Sequence, residues 1–457
     1  MTRPDPAPAE AWPRPAYAWY VVGVMLLAYV LSFVDRTILS LLVIPIEHDL
    51  HIGDTAMSLL QGFSFAILYA IMGLPIARLI DAHTRRGIIG AGIFLWSLMT
   101  ASCGLANRFW HLFLSRVGVG IGEATLLPGA SSLLADYFPP QKLGRAMGVF
   151  ATGIFVGTGL SLIIGGSLIK ALHGVRLHLA VLGSVHSWQI VFFAVGVPGI
   201  LVALLMLTVR EPARRGTLRT RLQDGVRVTS HPSVREVVRY MRDNRRTMTC
   251  HHLGFSLLAL VGYGSGAWIP TFFIRTYGWT ASQAGIRFGL LAFVFGPLGT
   301  VLGGWLADRY ARRGRQDGKM RVGMIAALGG IVPVCIFPMA GSAGWALGLI
   351  SPFFLFVSFV WGIAPAALQE LLPNQMRGQV TAFYTGVLNL IGLGMGPTSV
   401  ALITDYAFHN PQDLRYSMAI VGVVGLALAA LVFRAGFGPY RRSLDYLHAW
   451  EREGAHD

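Results

Sequence analysis

Apolar residues in this chain come in long blocks, without the regular polar interruptions of a soluble helix or strand. A helix needs about 20 mostly apolar residues to cross a bilayer. Blocks of that length fall near 18–43, 55–79, 87–106, 109–136, 145–170 and 187–209, and again near 249–274, 282–306, 321–341, 344–369, 380–406 and 415–435. They are numbered here as helices 1 to 12. The pattern predicts an all-α polytopic membrane protein with 12 transmembrane helices in two six-helix bundles, 18–209 and 249–435. An N-terminal tail (1–17), a linker (210–248) and a C-terminal tail (436–457) complete the expected division.

Composition agrees with that pattern. Charged residues are 13% of the chain, against ~25% in soluble domains. The net charge of +15 would suggest nucleic acid in a soluble protein, but its distribution points elsewhere. With both termini in the cytoplasm, 29 of the 37 Lys and Arg lie on that side. Only Arg108, Lys170, Arg176, Arg275 and Arg415 fall outside, and Arg36, Arg116 and Arg287 lie within spans. This is the positive-inside asymmetry of a membrane protein, so no nucleic acid partner is expected. Arg outnumbers Lys by 34 to three, a bias of GC-rich genomes that places the expected location in a bacterial inner membrane. The first apolar run is too long for a signal peptide, so the N-terminus is expected to stay attached. Cys103, Cys250 and Cys335 lack metal or redox spacing, and no Walker loop is present; neither cofactor nor metal is expected. The chain is expected to act as a monomer.

The halves echo one another. Asp81 precedes Arg85 and Arg86 after helix 2, and Asp308 precedes Arg312 and Arg313 after helix 8. These segments resemble the Gly-x-x-x-Asp-Arg-x-x-Arg-Arg loop signature of the major facilitator superfamily. The second copy, with Gly304, Asp308, Arg309, Arg312 and Arg313, is nearly complete; Ala82 stands where the first would carry Arg. Helix 4 adds Arg116 and the glycines Gly118, Gly120 and Gly122. A narrower set comprises Asp35-Arg36, Gly122-Glu123-Ala124, Trp268-x-Pro270, Gln369, the Pro373–Arg377 passage and Gly392 to Pro397. Together these are similar to the Spinster family. The resemblance implies alternating-access transport of lysophospholipids or sphingoid-base phosphates, often coupled to protons. It also implies a cytoplasmic gate at Asp81, Arg85, Arg86, Asp308, Arg309, Arg312 and Arg313, weaker in the first half.

Charge inside a bilayer is costly and marks function by default. Helix 1 carries Asp35 and Arg36; helix 4 carries Arg116 and Glu123. At ~1.5 Å per residue Asp35 lies roughly 26 Å into helix 1, and Arg116 about 10 Å below the outer surface, so the two match in depth. Asp35 and Glu123 are the candidate proton carriers, with Arg36 and Arg116 as charge partners. Arg36, about 100° round from Asp35, is expected to point elsewhere or to pair separately. The alternative is a static packing pair.

Facing helices of the halves should line a central cavity, with Phe65, Tyr69, Tyr263, Gln369, Tyr384 and Asn389 as candidates. The expected partners are a lipid or amphiphilic small molecule, protons and membrane lipids. A carrier of small organic anions or drugs is the alternative within the same class. A membrane enzyme would need a Ser/His pair or metal cluster, neither of which is apparent, and a sensor without transport stays open. In the linker, Ser233 and Glu236 have capping-box spacing before Val234, Val237, Val238 and Met241. That helix would suit an anionic inner leaflet or serve as a solvated linker.

Overall fold

The computed structural model describes residues 12–172, 177–179, 183–214, 222–223, 226–227, 234–373 and 376–453. Twelve helices in it are long and apolar enough to cross a membrane: Pro15–Leu41, Asp54–Gly73, Arg85–Cys103, Phe109–Tyr137, Gln141–Ala171 and Ser187–Thr208, then Arg245–Tyr277, Ala281–Arg312, Gly318–Met339, Ala343–Glu370, Arg377–Phe408 and Pro411–Leu447. All twelve expected spans are present. The described strands form two short hairpins, Leu177–Leu179 with Gly183–Val185 and Leu222–Gln223 with Val226–Arg227.

Two features differ from expectation by more than a few residues or by the face they bury. The last helix continues through Glu453, where a tail from 436 was expected. Pro439 does not stop it, and Tyr440 anchors the extension by donating to the Ala367 carbonyl (3.2 Å) and Glu370 (2.8 Å) on helix 10. The linker helix forms as Val234–Asp243, but Val237 and Tyr240 are its buried residues while Val234 and Val238 are exposed. Tyr240 turns that face toward the protein by donating to the Leu371 carbonyl at 2.7 Å. Ser233, the proposed cap, lies outside the described residues, as do Asn374 and Gln375.

Several spans are interrupted. Helix 1 ends in a 3₁₀ turn, Ile38–Leu41, and helix 4 breaks just after Glu123. Helices 2 and 11 carry π-helical turns, Leu59–Phe63 and Asn389–Met395. Such turns re-aim side chains and are frequent at functional sites. Helix 4 packs backbone to backbone on helix 3: a Cβ at Gly122 would sit 2.7 Å from the Gly92 carbonyl oxygen. Small residues are what permit that approach between bilayer helices.

On the outer side the halves touch. Helix 5 meets helix 8 so closely that a Cβ at Gly285 would lie 2.5 Å from the Leu162 carbonyl oxygen. Overpacking of that kind costs about 1–3 kcal/mol. Gly285→Val is therefore expected to lower the melting temperature of the purified protein by several degrees. Gly348→Ala, where nothing lies within 4 Å, should leave it unchanged. Equal melting temperatures for the two variants would contradict this outer contact.

Candidate functional site

The buried charges of helices 1 and 4 do meet. Asp35, Arg116 and Glu123 are all buried, at 1%, 0% and 3% exposure. Arg36 Nη2 donates to Glu123 Oε2, and Ser32, one turn earlier on helix 1, donates to the same oxygen at 2.9 Å. Residues at i and i+4 share a helix face, so Ser32 and Arg36 grip one carboxylate together. The Arg36 guanidinium lies over the Phe65 and Phe33 rings, 4.2 Å and 4.9 Å from their centroids. Aromatic faces stabilise a cation where water is scarce.

The depth match of Asp35 with Arg116 holds, but the contact is to the backbone. Arg116 Nη1 donates to the Asp35 carbonyl oxygen at 3.0 Å. Asp35 Oδ1, Arg116 Nε and Nη2, Glu123 Oε1 and Arg36 Nε have no hydrogen-bond partner. Buried polar groups are normally paired, so a cluster of exceptions asks for a partner that the protein itself does not supply. Sequence spacing correctly put Arg36 on a different bearing from Asp35. It did not reveal that this bearing points at Glu123.

Beside the pair lies a cavity of about 150 Å³ between the halves. Arg36, Thr37, Ser40, Gln61, Thr158 and Ser358 give it polar points; aromatic and aliphatic side chains from helices 5, 7, 8 and 10 make up most of its wall. Of the six expected cavity residues, Tyr263 lines it. The other five do not line it, having partners elsewhere or lying outside it. Phe65 is buried beneath Arg36 and stacks on Tyr69, with ring centroids 5.4 Å apart. Tyr384 packs on His251 and His252 instead, at 5.0 Å and 5.3 Å. Asn389 spends its amide on the Thr385 carbonyl of its own helix (3.0 Å), and Gln369 is exposed near the cytoplasmic end of helix 10. Thr37, Ser40 and Gln61 were missed, because isolated small polar residues in an apolar run give no periodic signal.

Among the described residues, no ion pair of the expected cytoplasmic gate crosses between the halves. Arg85 pairs with Asp136 and, at 2.7 Å, with Glu211; the Arg86 backbone N–H donates to Glu211 at 2.9 Å, and its guanidinium donates to the Val209 carbonyl at 3.2 Å. These contacts clamp the start of the linker within the first half. Asp308, Arg309, Arg312 and Arg313 are exposed and form no ion pair among the described residues, though Arg309 lies over the Trp305 ring at 5.6 Å. The Asp81 side chain lies outside the described ones.

Ion pairs between the halves occur instead on the outer side. Arg275, ending helix 7, holds Asp54 bidentately at 2.6 Å and 2.8 Å and Glu47 at 2.9 Å. Asp405 of helix 11 accepts from the backbone N–H and hydroxyl of Thr55 at 2.7 Å and 2.6 Å. This latch also escaped the sequence, since its members lie hundreds of residues apart. The molecule is thus shut outside, and every described ion pair on the cytoplasmic side stays within one half and its flanking linker.

Residues 25–397 match the sequence profile of the Major Facilitator Superfamily. The chain belongs to that superfamily. Among superfamily relatives it is 29% identical to an "MFS-type efflux pump" of Mycolicibacterium smegmatis, over 94% of this chain and 95% of that one. It is 27% identical to human "Protein spinster homolog 1" over 92% of this chain and 80% of the relative. Its structure is similar to that of a bacterial homologue of the human lysosomal transporter Spinster, solved in an inward-facing, unoccupied conformation, with a TM-score of 0.79, 28% identity, and coverage of 94% and 99%. This superfamily member is a multi-pass secondary transporter related to the Spinster proteins, and not an enzyme.

The outer latch makes a pH dependence. Burial, and then the hydrogen bond shared with Asp54, push the Glu47 carboxyl up to about 9 against the pull of Arg275. When the outer side opens to water, Glu47 should return toward the ordinary carboxylate range, ~4.3. Closure then takes up a proton. Its contribution is complete below the open-state value and is lost as pH rises through about 9. Spin-label distances across the outer ends should therefore show more open molecules at pH ~9 than at pH ~5, and Glu47→Gln should flatten that dependence. An unchanged pH response in Glu47→Gln would contradict it.

Proposed function

We propose that this transporter carries lysophospholipids or related amphiphiles and couples their movement to protons through Glu123 and Asp35. The observation that supports this reading most directly is the placement of Arg36. It lines the cavity and also holds Glu123. One guanidinium therefore has two claimants.

With the cavity empty, Arg36 binds Glu123. A substrate phosphate is a strong, doubly accepting partner for a guanidinium, and on entering it would draw Arg36 away. Glu123 would then keep Ser32 as a donor but lose its cation, and an unpaired carboxylate in apolar surroundings takes up a proton readily. Phosphate and proton would load together, and departure of the phosphate would return Arg36 to Glu123 and expel the proton. Asp35, one residue before Arg36 and beside Arg116, is the second carrier. The apolar part of the cavity wall would take the acyl chain. Asp81, Asp308 and their following arginines would close the cytoplasmic side in the opposite, outward-open state, when the halves tilt together there. The similarity to an efflux pump supports a second reading, a proton-coupled carrier of small organic anions or drugs.

Two measurements test the proposal. Lysophospholipids should raise the melting temperature of the purified protein more than hexoses or amino acids do; stabilisation by hydrophilic solutes alone would end the amphiphile reading. In proteoliposomes, Asp35→Asn and Glu123→Gln should each lose accumulation driven by a pH gradient, by about 10-fold or more, while substrate binding stays detectable. That loss corresponds to at least ~1.4 kcal/mol of coupling. Full accumulation in both variants would rule out the proton role.

A further inference from the structure

Gln61 is a polar side chain that no contact in the protein explains. It is 6% exposed, it lines the central cavity, and neither its Oε1 nor its Nε2 has a hydrogen-bond partner. A buried amide left without donor or acceptor weakens the fold unless something else pairs with it. Its position is built. Gln61 sits in the π-turn Leu59–Phe63, which turns helix 2 off its regular bearing. Gly62, next to it, is pressed on the π-turn of helix 11: a Cβ there would lie 2.1 Å from the Leu393 carbonyl oxygen. Only glycine permits that approach, and the contact holds the turn, and so Gln61, in place. Arg36, Thr37 and Tyr263 line the same cavity.

The chemistry of an amide narrows what it can read. It offers N–H donors on one atom and an acceptor on the other, and both atoms are unpaired here whichever way the amide is turned. A phosphate or carboxylate accepts only, and would leave the amide oxygen orphaned. An ammonium donates only, and would leave the nitrogen orphaned. A hydroxyl both donates and accepts, and can engage both.

We infer that Gln61 is a specificity-determining residue that reads a free hydroxyl on the substrate, next to the anionic group taken by Arg36. This rests on the amphiphile reading above and sharpens it. On a lysophospholipid the group in question is the hydroxyl left on glycerol where the second acyl chain is missing. A diacyl lipid has no donor there, so Gln61 would separate one-chain from two-chain lipids by chemistry as well as by bulk. Sites that pair with a substrate hydroxyl disfavour analogues lacking it because the protein's own polar group is then stranded.

The test compares 1-acyl lysophosphatidic acid with its analogue carrying hydrogen in place of the free hydroxyl, binding each to the full-length purified protein. The wild type should bind the hydroxyl form about 3- to 10-fold more tightly, the range expected for one net hydrogen bond. Gln61→Leu should bind the two lipids equally, with affinity for the deoxy analogue retained. Gln61→Met serves as a second apolar variant should the branched side chain fold poorly. A wild type without preference, or a preference that survives in Gln61→Leu and Gln61→Met, overturns the inference while leaving the amphiphile reading intact. Binding of neither lipid by the wild type overturns the amphiphile reading itself, and the role of Gln61 with it.

Discussion

A guanidinium held between a carboxylate and two aromatic rings, deep in an apolar bundle, is the constraint on which the rest of this structure turns. Arg36 cannot be left unpaired there, because an isolated buried cation is far too costly. Helix 1 therefore has to present Ser32 and Arg36 to helix 4, and helix 4 has to come close enough to offer Glu123. The second requirement accounts for the glycines. Gly120 and Gly122 let helix 4 approach the backbones of helices 2 and 3, where any side chain would collide with Phe65 or Gly92. The break after Glu123 then ends the first segment of helix 4 at the residue that pairs with Arg36.

The same economy explains why the site is under-satisfied. Breaking a buried pair by removing one partner is strongly destabilising, whereas exchanging one partner for another is not. A carrier that offers Arg36 a choice of anions can change state without ever exposing a bare charge to the bilayer interior. Under the proposed mechanism, the unpaired atoms on Asp35, Arg116 and Glu123 would be the capacity that such an exchange uses. The outer latch works on similar terms at the opposite end of the cavity: Arg275 keeps Asp54 bidentately while Glu47 shares its proton. Opening outside then releases a proton and breaks the Arg275–Asp54 ion pair.

The architecture was legible in the sequence because hydropathy acts over about 20 residues at a time, and a count of helices survives errors of a few residues at each end. Depth was legible too, since rise per residue is fixed; that is why Asp35 and Arg116 were correctly brought together. Azimuth was not. Helix 1 tightens to a 3₁₀ turn after Thr37 and helix 2 contains a π-turn, so side chains near these points leave the bearing that a regular period assigns. Gln61 lies within that π-turn and is also a single polar residue in an apolar run, so no period points to it. Tyr384 was placed in the cavity on its helix alone, but His251 and His252 of helix 7 cover it. The gate arginines Arg85 and Arg86 look like an interface between halves in the sequence, yet the start of the linker captures them. Pairings across hundreds of residues, such as Thr55 with Asp405, leave no trace in a linear pattern.

The central claim is that one cation serves the proton carrier and the substrate in turn. Simultaneous recording of proton and substrate flux in proteoliposomes, with a lysophospholipid supplied on one side and no imposed pH gradient, tests it most directly. The account predicts that protons move with the lipid, in the same direction and in fixed proportion, and that both fluxes saturate together. Lipid flux by the wild-type protein with no accompanying proton movement would contradict it.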